Sequence, residues 1–206
     1  MYEIEDFLKS FDFDKFIRFC QNLNSNTSKL SNSDNFILSK LREIAFAHCL
    51  LDNKFLLSYI DQDGKDYVVV PNYGESKSFY LELKTSKKMV NKGGTLGSGK
   101  KIKMFNYRGN LSFNTFMDKI DQKMRSDLYI FVDTTNAVVF YAKKDDMLSD
   151  AKNWIPDGDG VWYILKDDNP IIGKLNFFSE PLKMISYYDQ FMVVMEEFVK
   201  EKIKEL

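Results

Sequence analysis

The sequence predicts an α/β protein with a mixed central sheet flanked by helices. Short runs rich in β-branched and aromatic residues, which are typical of strands, alternate with longer amphipathic segments, which are typical of helices. The 206 residues, 44% of them hydrophobic and 15% aromatic, are enough for a sizeable core. We therefore expect one domain over residues 1–206, with an N-terminal helix and loop (1–33), a core (34–142) and a C-terminal elaboration (143–206).

Four segments have apolar residues at helical spacing. Residues 3–20 predict a first helix, and the Asn- and Ser-rich stretch from Gln21 to Asn35 predicts a loop after it. Residues 34–52 and 113–124 predict two further helices. A stripe over 185–205 predicts a C-terminal helix that packs in the core, with contact to a second subunit as the alternative.

Strands are predicted where short apolar runs lie between turn residues. The predicted strands are 55–60, 66–71, 78–84, 127–133 and 138–141. Asn72–Lys77 separates the second strand from the third, and Thr134–Ala137 is a tight turn between the last two. The order is therefore helix, three-stranded meander, helix, strand.

Acidic residues and a lysine lie at the facing ends of the second and third predicted strands. Asp66 begins one strand, and Glu82 and Lys84 end the other on a common face, because side chains alternate along a strand. A register that pairs Asp66 with Glu82 or Lys84 puts its side chain on that face, whereas pairing with Leu83 inverts it. Asp61 and Asp63 are alternatives to Asp66, which is preferred because it directly precedes the apolar run.

Two carboxylates and an ammonium group suit metal-dependent hydrolysis of a phosphodiester. Mg²⁺ prefers hard oxygen ligands, and Asp66 and Glu82 would supply two of them. The backbone carbonyl of Leu83 would lie between the acting side chains and could complete the coordination. The Lys84 ammonium would orient the nucleophile and stabilise charge on the phosphate oxygens.

Asp66 at the head of an apolar strand, a short turn and the run Glu82-Leu83-Lys84 resemble the PD-(D/E)xK nuclease signature, especially that of type II restriction endonucleases. The resemblance covers residues 40–142 and implies a three-layer restriction-endonuclease-like core, so residues 34–142 are expected to form the catalytic core. It implies Asp66 and Glu82 as metal ligands, Lys84 as the catalytic lysine, and cleavage of double-stranded DNA that leaves 5′-phosphates. A homodimer and a companion DNA methyltransferase are also implied, and the C-terminal elaboration (143–206) could serve DNA recognition or dimerisation. Glu43 is a possible accessory acid, with a surface salt bridge as its favoured role.

The charge is uneven although the net charge is only −1. Residues 83–117 contain eight Lys or Arg and no Asp or Glu, together with half of the ten glycines, which predicts a flexible loop that orders on a phosphate backbone. The predicted DNA-contacting residues are Lys87, Lys88, Lys92, Lys100, Lys101, Lys103, Asn106, Tyr107 and Arg108. Gly94–Lys101 nearly matches a P-loop but lacks the Ser or Thr after its lysine.

Other residues limit the classes of function. Cys20 and Cys49 lie far apart and predict reduced packing residues, and the single His48 excludes nucleases built on several histidines. The acidic start and the lack of a long apolar run predict a cytoplasmic protein with no membrane partner. The alternatives to a restriction enzyme are a DNA repair nuclease or junction resolvase of the same fold, and a non-catalytic nucleic-acid-binding module.

Overall fold

A computed structural model describes residues 2–26, 32–51, 53–72, 77–86, 100–106, 113–157, 160–165 and 173–175. The described chain is mixed α/β. It divides into two compact units, the first comprising Met1–Tyr59, Val69–Ser78 and Asn176–Leu206 and the second Ile60–Val68 and Phe79–Leu175. None of the described helices is long and apolar enough to cross a membrane.

Helices and strands alternate along the described chain. The helices are α1 (Tyr2–Lys9), α2 (Phe13–Asn26), α3 (Asn32–Ala47), α4 (Phe113–Lys123) and α5 (Lys144–Ser149). The strands are β1 (Phe55–Gln62), β2 (Lys65–Pro71), β3 (Phe79–Ser86), β4 (Lys100–Asn106), β5 (Leu128–Asp133), β6 (Val138–Lys143), β7 (Trp154–Asp157), β8 (Gly160–Leu165) and β9 (Gly173–Leu175).

The first unit has an aromatic core contributed by α1, α2, α3 and β1. Phe46 of α3 stacks on Phe11 with ring centroids 4.1 Å apart and meets Phe16 edge-on at 5.1 Å. Phe7 packs edge-on against Phe55 at 5.6 Å, and all five rings are buried. Offset and edge-on contacts of this kind stabilise a core beyond the area that they bury.

The predicted single helix over residues 3–20 is wrong, because two helices form there. The Asp12 carboxylate accepts a hydrogen bond from the backbone N–H of Lys15 at 2.9 Å, which caps the start of α2. The predicted loop Gln21–Asn35 is also wrong over most of its length, since α2 continues to Asn26 and α3 begins at Asn32. A polar side chain of this stretch joins the two helices, because Asn24 of α2 accepts a hydrogen bond from Arg42 of α3 at 2.8 Å.

The larger sheet is mixed and has the strand order β1-β2-β3-β5-β6-β9. Strands β3 and β5 are parallel, with Glu82 opposite Tyr129 and Lys84 opposite Phe131. Strand β5 is antiparallel to β6, and β6 is antiparallel to β9. Every residue of β5 is buried, as expected for a central strand covered on both faces.

A second, antiparallel sheet has the order β4-β8-β7. Its first strand corrects the prediction of a flexible loop, because Lys100–Asn106 is a strand. Ile102 and Met104 alternate with lysines in the sequence and are buried in one core with Phe116 of α4 and Phe140 of β6. Burial of alternate residues explains why this cationic segment forms a strand.

Several predictions are confirmed to within about two residues at their ends. These are the helix over 113–124 and the strands over 55–60, 66–71, 78–84, 127–133 and 138–141. The predicted helix over 185–205 lies outside the described residues. The described part of 143–206 forms α5, β7, β8 and β9, and the single-domain assignment stays a prediction.

Candidate active site

The predicted catalytic residues lie on β2 and β3. The backbone N–H of Leu83 donates a buried hydrogen bond of 2.7 Å to Oδ2 of Asp66. This bond holds the Asp66 carboxylate against β3, beside the backbone that joins Glu82 to Lys84. The three residues therefore lie next to one another, although 16 positions separate Asp66 from Glu82 in the sequence.

Glu82 is buried, with only 7% of its surface exposed. The Lys84 ammonium donates a hydrogen bond to Glu82 Oε1 and forms an ion pair with it. The other oxygen, Oε2, is buried and has no hydrogen-bond partner among the described residues. Leaving a buried acceptor unsatisfied costs on the order of 1–3 kcal/mol, and more when it is charged. Glu82 therefore has one oxygen with the environment of a ligand atom.

A cavity of about 370 Å³ adjoins these side chains. Its polar and charged lining consists of Asp63, Glu82, Lys84, Asn106, Lys123 and Tyr129. At about 30 Å³ for each water molecule, the cavity has room for a phosphodiester group and several waters. All of its lining residues belong to the second unit. They come from the turn between β1 and β2, from β3, β4 and β5, and from the end of α4.

Tyr129 of β5 lies opposite Glu82 and lines the same cavity. Burial raises the pKa of Tyr129, and the negative charges of Glu82, Asp127 and Asp66 act in the same direction. Its hydroxyl oxygen accepts a hydrogen bond from the backbone N–H of Ser126 at 3.4 Å. The phenol is therefore neutral at physiological pH and lies within the field of both candidate metal-binding carboxylates.

Asp61 and Asp63 occupy different positions near the turn between β1 and β2. Asp61 lies in β1 and not in the turn, with a left-handed φ of 45°. One of its carboxylate oxygens lies within 4.8 Å of one from Asp66, a separation that a shared cation can span after small side-chain rotations. Asp63 instead pairs with Lys123 at 3.3 Å. Asp61 is therefore a neighbour of Asp66, and Asp63 is one of the residues that line the cavity.

Glu43 of α3 forms the predicted salt bridge, with Lys40 at 2.9 Å, but the glutamate is buried in the first unit and is not on the surface. Its Oε2 accepts hydrogen bonds from Lys40 Nζ at 2.9 Å and from Tyr59 Oη at 2.8 Å. Its Oε1 accepts one from Ser39 at 3.2 Å. Both oxygens of Glu43 therefore have protein donors, and its role as an accessory acid stays a prediction.

Only some of the predicted DNA-contacting residues belong to the part of the chain that the structure describes. Lys100, Lys101, Lys103 and Asn106 lie on β4, whereas Lys87, Lys88, Lys92, Tyr107 and Arg108 lie outside the described residues. The Lys103 ammonium lies 5.9 Å from the ring centre of Trp162 on β8. Asn106 is exposed and lines the cavity, so β4 brings one predicted contact to the candidate site.

The cysteines and the histidine belong to the first unit and are not among the described residues that line the cavity. Cys20 and Cys49 are free and buried, which confirms them as packing residues. Burial raises the pKa of the Cys20 thiol to about 12, so it is protonated and inert near neutral pH. Burial lowers the pKa of His48, and the charge of Lys15 acts in the same direction.

Comparisons with protein-family models, curated proteins and solved structures found no match to this chain. Its class and chemistry are therefore argued from the site. Sequence reasoning missed two residues that line the cavity, Tyr129 and Lys123. The apolar run that predicted the strand 127–133 was visible in the sequence, but the pairing of this strand with β3 was not.

Proposed function

We propose that this protein is a Mg²⁺-dependent DNA endonuclease of the PD-(D/E)xK type, and specifically a type II restriction enzyme with a three-layer restriction-endonuclease-like core. The observation that carries the proposal is the unsatisfied, buried Glu82 Oε2 beside a cavity that Lys84 also lines. A carboxylate with one oxygen that lacks a donor suits a doubly charged cation, and the ammonium group beside it suits a phosphate.

The residues present fit a magnesium ion. Asp61 and Asp66 offer carboxylate oxygens within 4.8 Å of each other, and Glu82 Oε2 is a further hard oxygen that has no protein donor among the described residues. Mg²⁺ prefers such oxygens, and one or two of them suffice because the ion keeps several waters. The Leu83 carbonyl, between Glu82 and Lys84 in the chain, would complete the coordination. A bound magnesium ion would polarise a phosphoryl oxygen and lower the pKa of a bound water.

The protein's own groups orient and neutralise the substrate. The hydrogen bond from the Leu83 N–H fixes the Asp66 carboxylate, so little side-chain freedom is lost when a ligand binds. Lys84 keeps an ammonium group at the cavity, with 23% of its side chain exposed. A cation fixed there stabilises the negative charge that builds up on phosphate oxygens during attack.

The proposed substrate is double-stranded DNA, cut to leave 5′-phosphates by a homodimer on palindromic sites. A two-fold dimer places two such cavities on sequences of the same symmetry. A companion methyltransferase belongs to the same proposal. The cationic run Lys87–Arg108 would contribute the salt-dependent attraction to the phosphate backbone.

The test is incubation of the purified full chain with long duplex DNA of known sequence, with and without Mg²⁺, beside two variants. Lys84→Ala removes the proposed catalytic ammonium. Lys144→Ala is the matched control, because Lys144 is exposed to a similar extent (26% against 23%) and also forms an ion pair, with Asp121 at 2.8 Å.

Discrete fragments that need Mg²⁺, disappear with Lys84→Ala and persist with Lys144→Ala would support a restriction enzyme. Smears, or cleavage of branched junctions only, would favour the repair nuclease or resolvase. Binding without cleavage would favour a non-catalytic module. Cleavage that Lys84→Ala leaves intact would overturn the assignment of Lys84.

A further inference from the structure

Lys123, the last residue of α4, brings a second ammonium group to the candidate cavity. Its side chain is 42% exposed and forms an ion pair with Asp63, whose side chain is 66% exposed, at 3.3 Å. An exposed pair of this length contributes little to stability, commonly about 0–1 kcal/mol. Lys123 can therefore leave Asp63 for a stronger anionic partner.

The backbone around Lys123 is fixed against the β1–β2 turn. Gly64 has a φ of +74°, and a Cβ on it would lie 2.9 Å from the carbonyl oxygen of Lys123. Three residues further on, the Ser126 hydroxyl donates a hydrogen bond of 2.8 Å to the carbonyl oxygen of Gly64. The end of α4 and the turn are thus in close contact, which sets the distance from Lys123 to the hairpin that carries Asp66.

The charges of the cavity form two pairs. Lys84 pairs with the buried Glu82, and Lys123 pairs with the exposed Asp63. The other described residues that line the cavity are uncharged, and among them Asn106 offers an amide. One ammonium group therefore pairs with the carboxylate that has the unsatisfied oxygen, and the other pairs with an exposed carboxylate that is easily exchanged.

We propose that Lys123 is a substrate-binding residue that holds a backbone phosphate of the DNA strand, next to the phosphate at Glu82 and Lys84. On binding, its ammonium group exchanges Asp63 for a phosphate oxygen. A charge-assisted bond to phosphate is shorter and stronger than an exposed lysine–carboxylate pair. This inference rests on the proposed function and adds a second point at which the strand is held.

The experiment measures DNA affinity by fluorescence anisotropy with a short labelled duplex, in EDTA to prevent cleavage, over a range of salt concentrations. Lys123→Ala is compared with Lys119→Ala, which removes the same charge one turn earlier on α4. Lys119 bonds to Gln122 at 3.2 Å and does not belong to the described lining of the cavity. Lys123→Arg keeps the charge and serves as the rescue.

We expect Lys123→Ala to raise the dissociation constant about three- to tenfold and to lower the slope of log affinity against log salt by about 1. Lys119→Ala should leave that slope unchanged, and Lys123→Arg should restore it. Asp63→Asn should act in the opposite direction and tighten binding, since it removes the competing carboxylate. Melting curves check that each variant is folded.

Equal effects of Lys123→Ala and Lys119→Ala on both affinity and slope would overturn the inference, because they would show only the general loss of one charge. No tightening with Asp63→Asn would overturn the exchange of partners. The wild-type protein separates the two levels of proposal: if it neither binds nor cleaves DNA, the proposed function fails, whereas normal wild-type binding with a silent Lys123→Ala refutes Lys123 alone.

Discussion

Two buried glutamates, one in each unit, have similar exposure and a lysine at short range, yet their surroundings differ. Glu43 is 8% exposed and accepts hydrogen bonds from Ser39, Lys40 and Tyr59. Glu82 is 7% exposed, and its Oε2 has no partner among the described residues. Burial alone therefore does not distinguish the two side chains. The number of hydrogen bonds that their carboxylate oxygens accept does.

The difference indicates which carboxylate is structural. Buried polar groups are nearly always hydrogen-bonded, and a satisfied network fixes local geometry. Glu43 fits that pattern and joins α3 to β1 within the first unit. Glu82 departs from it: the residue lines a cavity, and its buried Oε2 has no donor among the described residues. The comparison thus agrees with a structural role for Glu43 and with the ligand role proposed for Glu82.

The largest expected effect is on cleavage. Glu82→Gln should lower the Mg²⁺-dependent rate at least about 100-fold, since it removes a charged ligand atom at the reacting phosphate. Glu43→Gln should have a clearly smaller effect. The measurement is single-turnover cleavage of duplex DNA with both folded variants, and equal losses would break the comparison by placing Glu43 in the site.

Stability should respond in the opposite order. Glu43→Gln should cost about 1–3 kcal/mol in the free energy of unfolding, because the amide keeps one acceptor oxygen in place of two and loses the charge that pairs with Lys40. Glu82→Gln should cost less, because its amide oxygen can still accept the hydrogen bond from Lys84 and its amide nitrogen replaces the oxygen that has no donor among the described residues. Urea denaturation of both variants measures this, and a reversed order would contradict the assignment.

Magnesium should stabilise the protein through Glu82. At a tenfold excess over its dissociation constant, Mg²⁺ should raise the melting temperature by about 3 °C or more. The shift should persist in Glu43→Gln and vanish in Glu82→Gln. Thermal melts with and without the ion provide the measurement; a full shift in Glu82→Gln would mean that other residues hold the cation.

The smallest effect should appear at alkaline pH. Burial raises the pKa of Tyr59 to about 12, and its hydrogen bond to Glu43 acts in the same direction. The folded state then binds the phenolic proton more tightly than the unfolded state, where the pKa is about 10. The stability that the Tyr59 hydroxyl contributes is therefore fully present below pH 10 and is lost as the pH rises towards 12.

A matched variant isolates that contribution. Tyr59→Phe lacks the titrating hydroxyl, so its melting temperature should start lower at neutral pH and fall less steeply between about pH 10 and 12 than that of the wild type. Parallel curves for the two proteins would show that the bond between Tyr59 and Glu43 makes no such contribution in solution.

Much of the fold could be predicted from local patterns. Dense β-branched and aromatic runs predicted β2, β3 and β5, and helical spacing predicted α4. Where two local signals competed, the prediction failed. Glycine and lysine content over residues 83–117 outweighed the alternation that makes Lys100–Asn106 a strand, and the Asp12 cap that separates α1 from α2 was overlooked.

The site was predictable only in part, for a physical reason. Asp66, Glu82 and Lys84 lie on neighbouring strands of one sheet, so pairing and alternation could bring them together. Tyr129 and Lys123 reach the cavity through the parallel pairing of β3 with β5 and the close approach of Lys123 to Gly64. Such long-range contacts depend on tertiary packing, which no spacing in a single sequence specifies.

The most direct test is the position of a bound cation. Crystals of the protein grown with Mn²⁺, which replaces Mg²⁺ and scatters anomalously, would locate it. We predict an anomalous peak within metal-ligand distance, about 2.0–2.6 Å, of Glu82 Oε2, with an Asp66 oxygen also coordinated. A peak elsewhere, with Glu82 Oε2 accepting a hydrogen bond from a protein donor, would contradict the assignment of Glu82 as the unsatisfied, metal-binding glutamate.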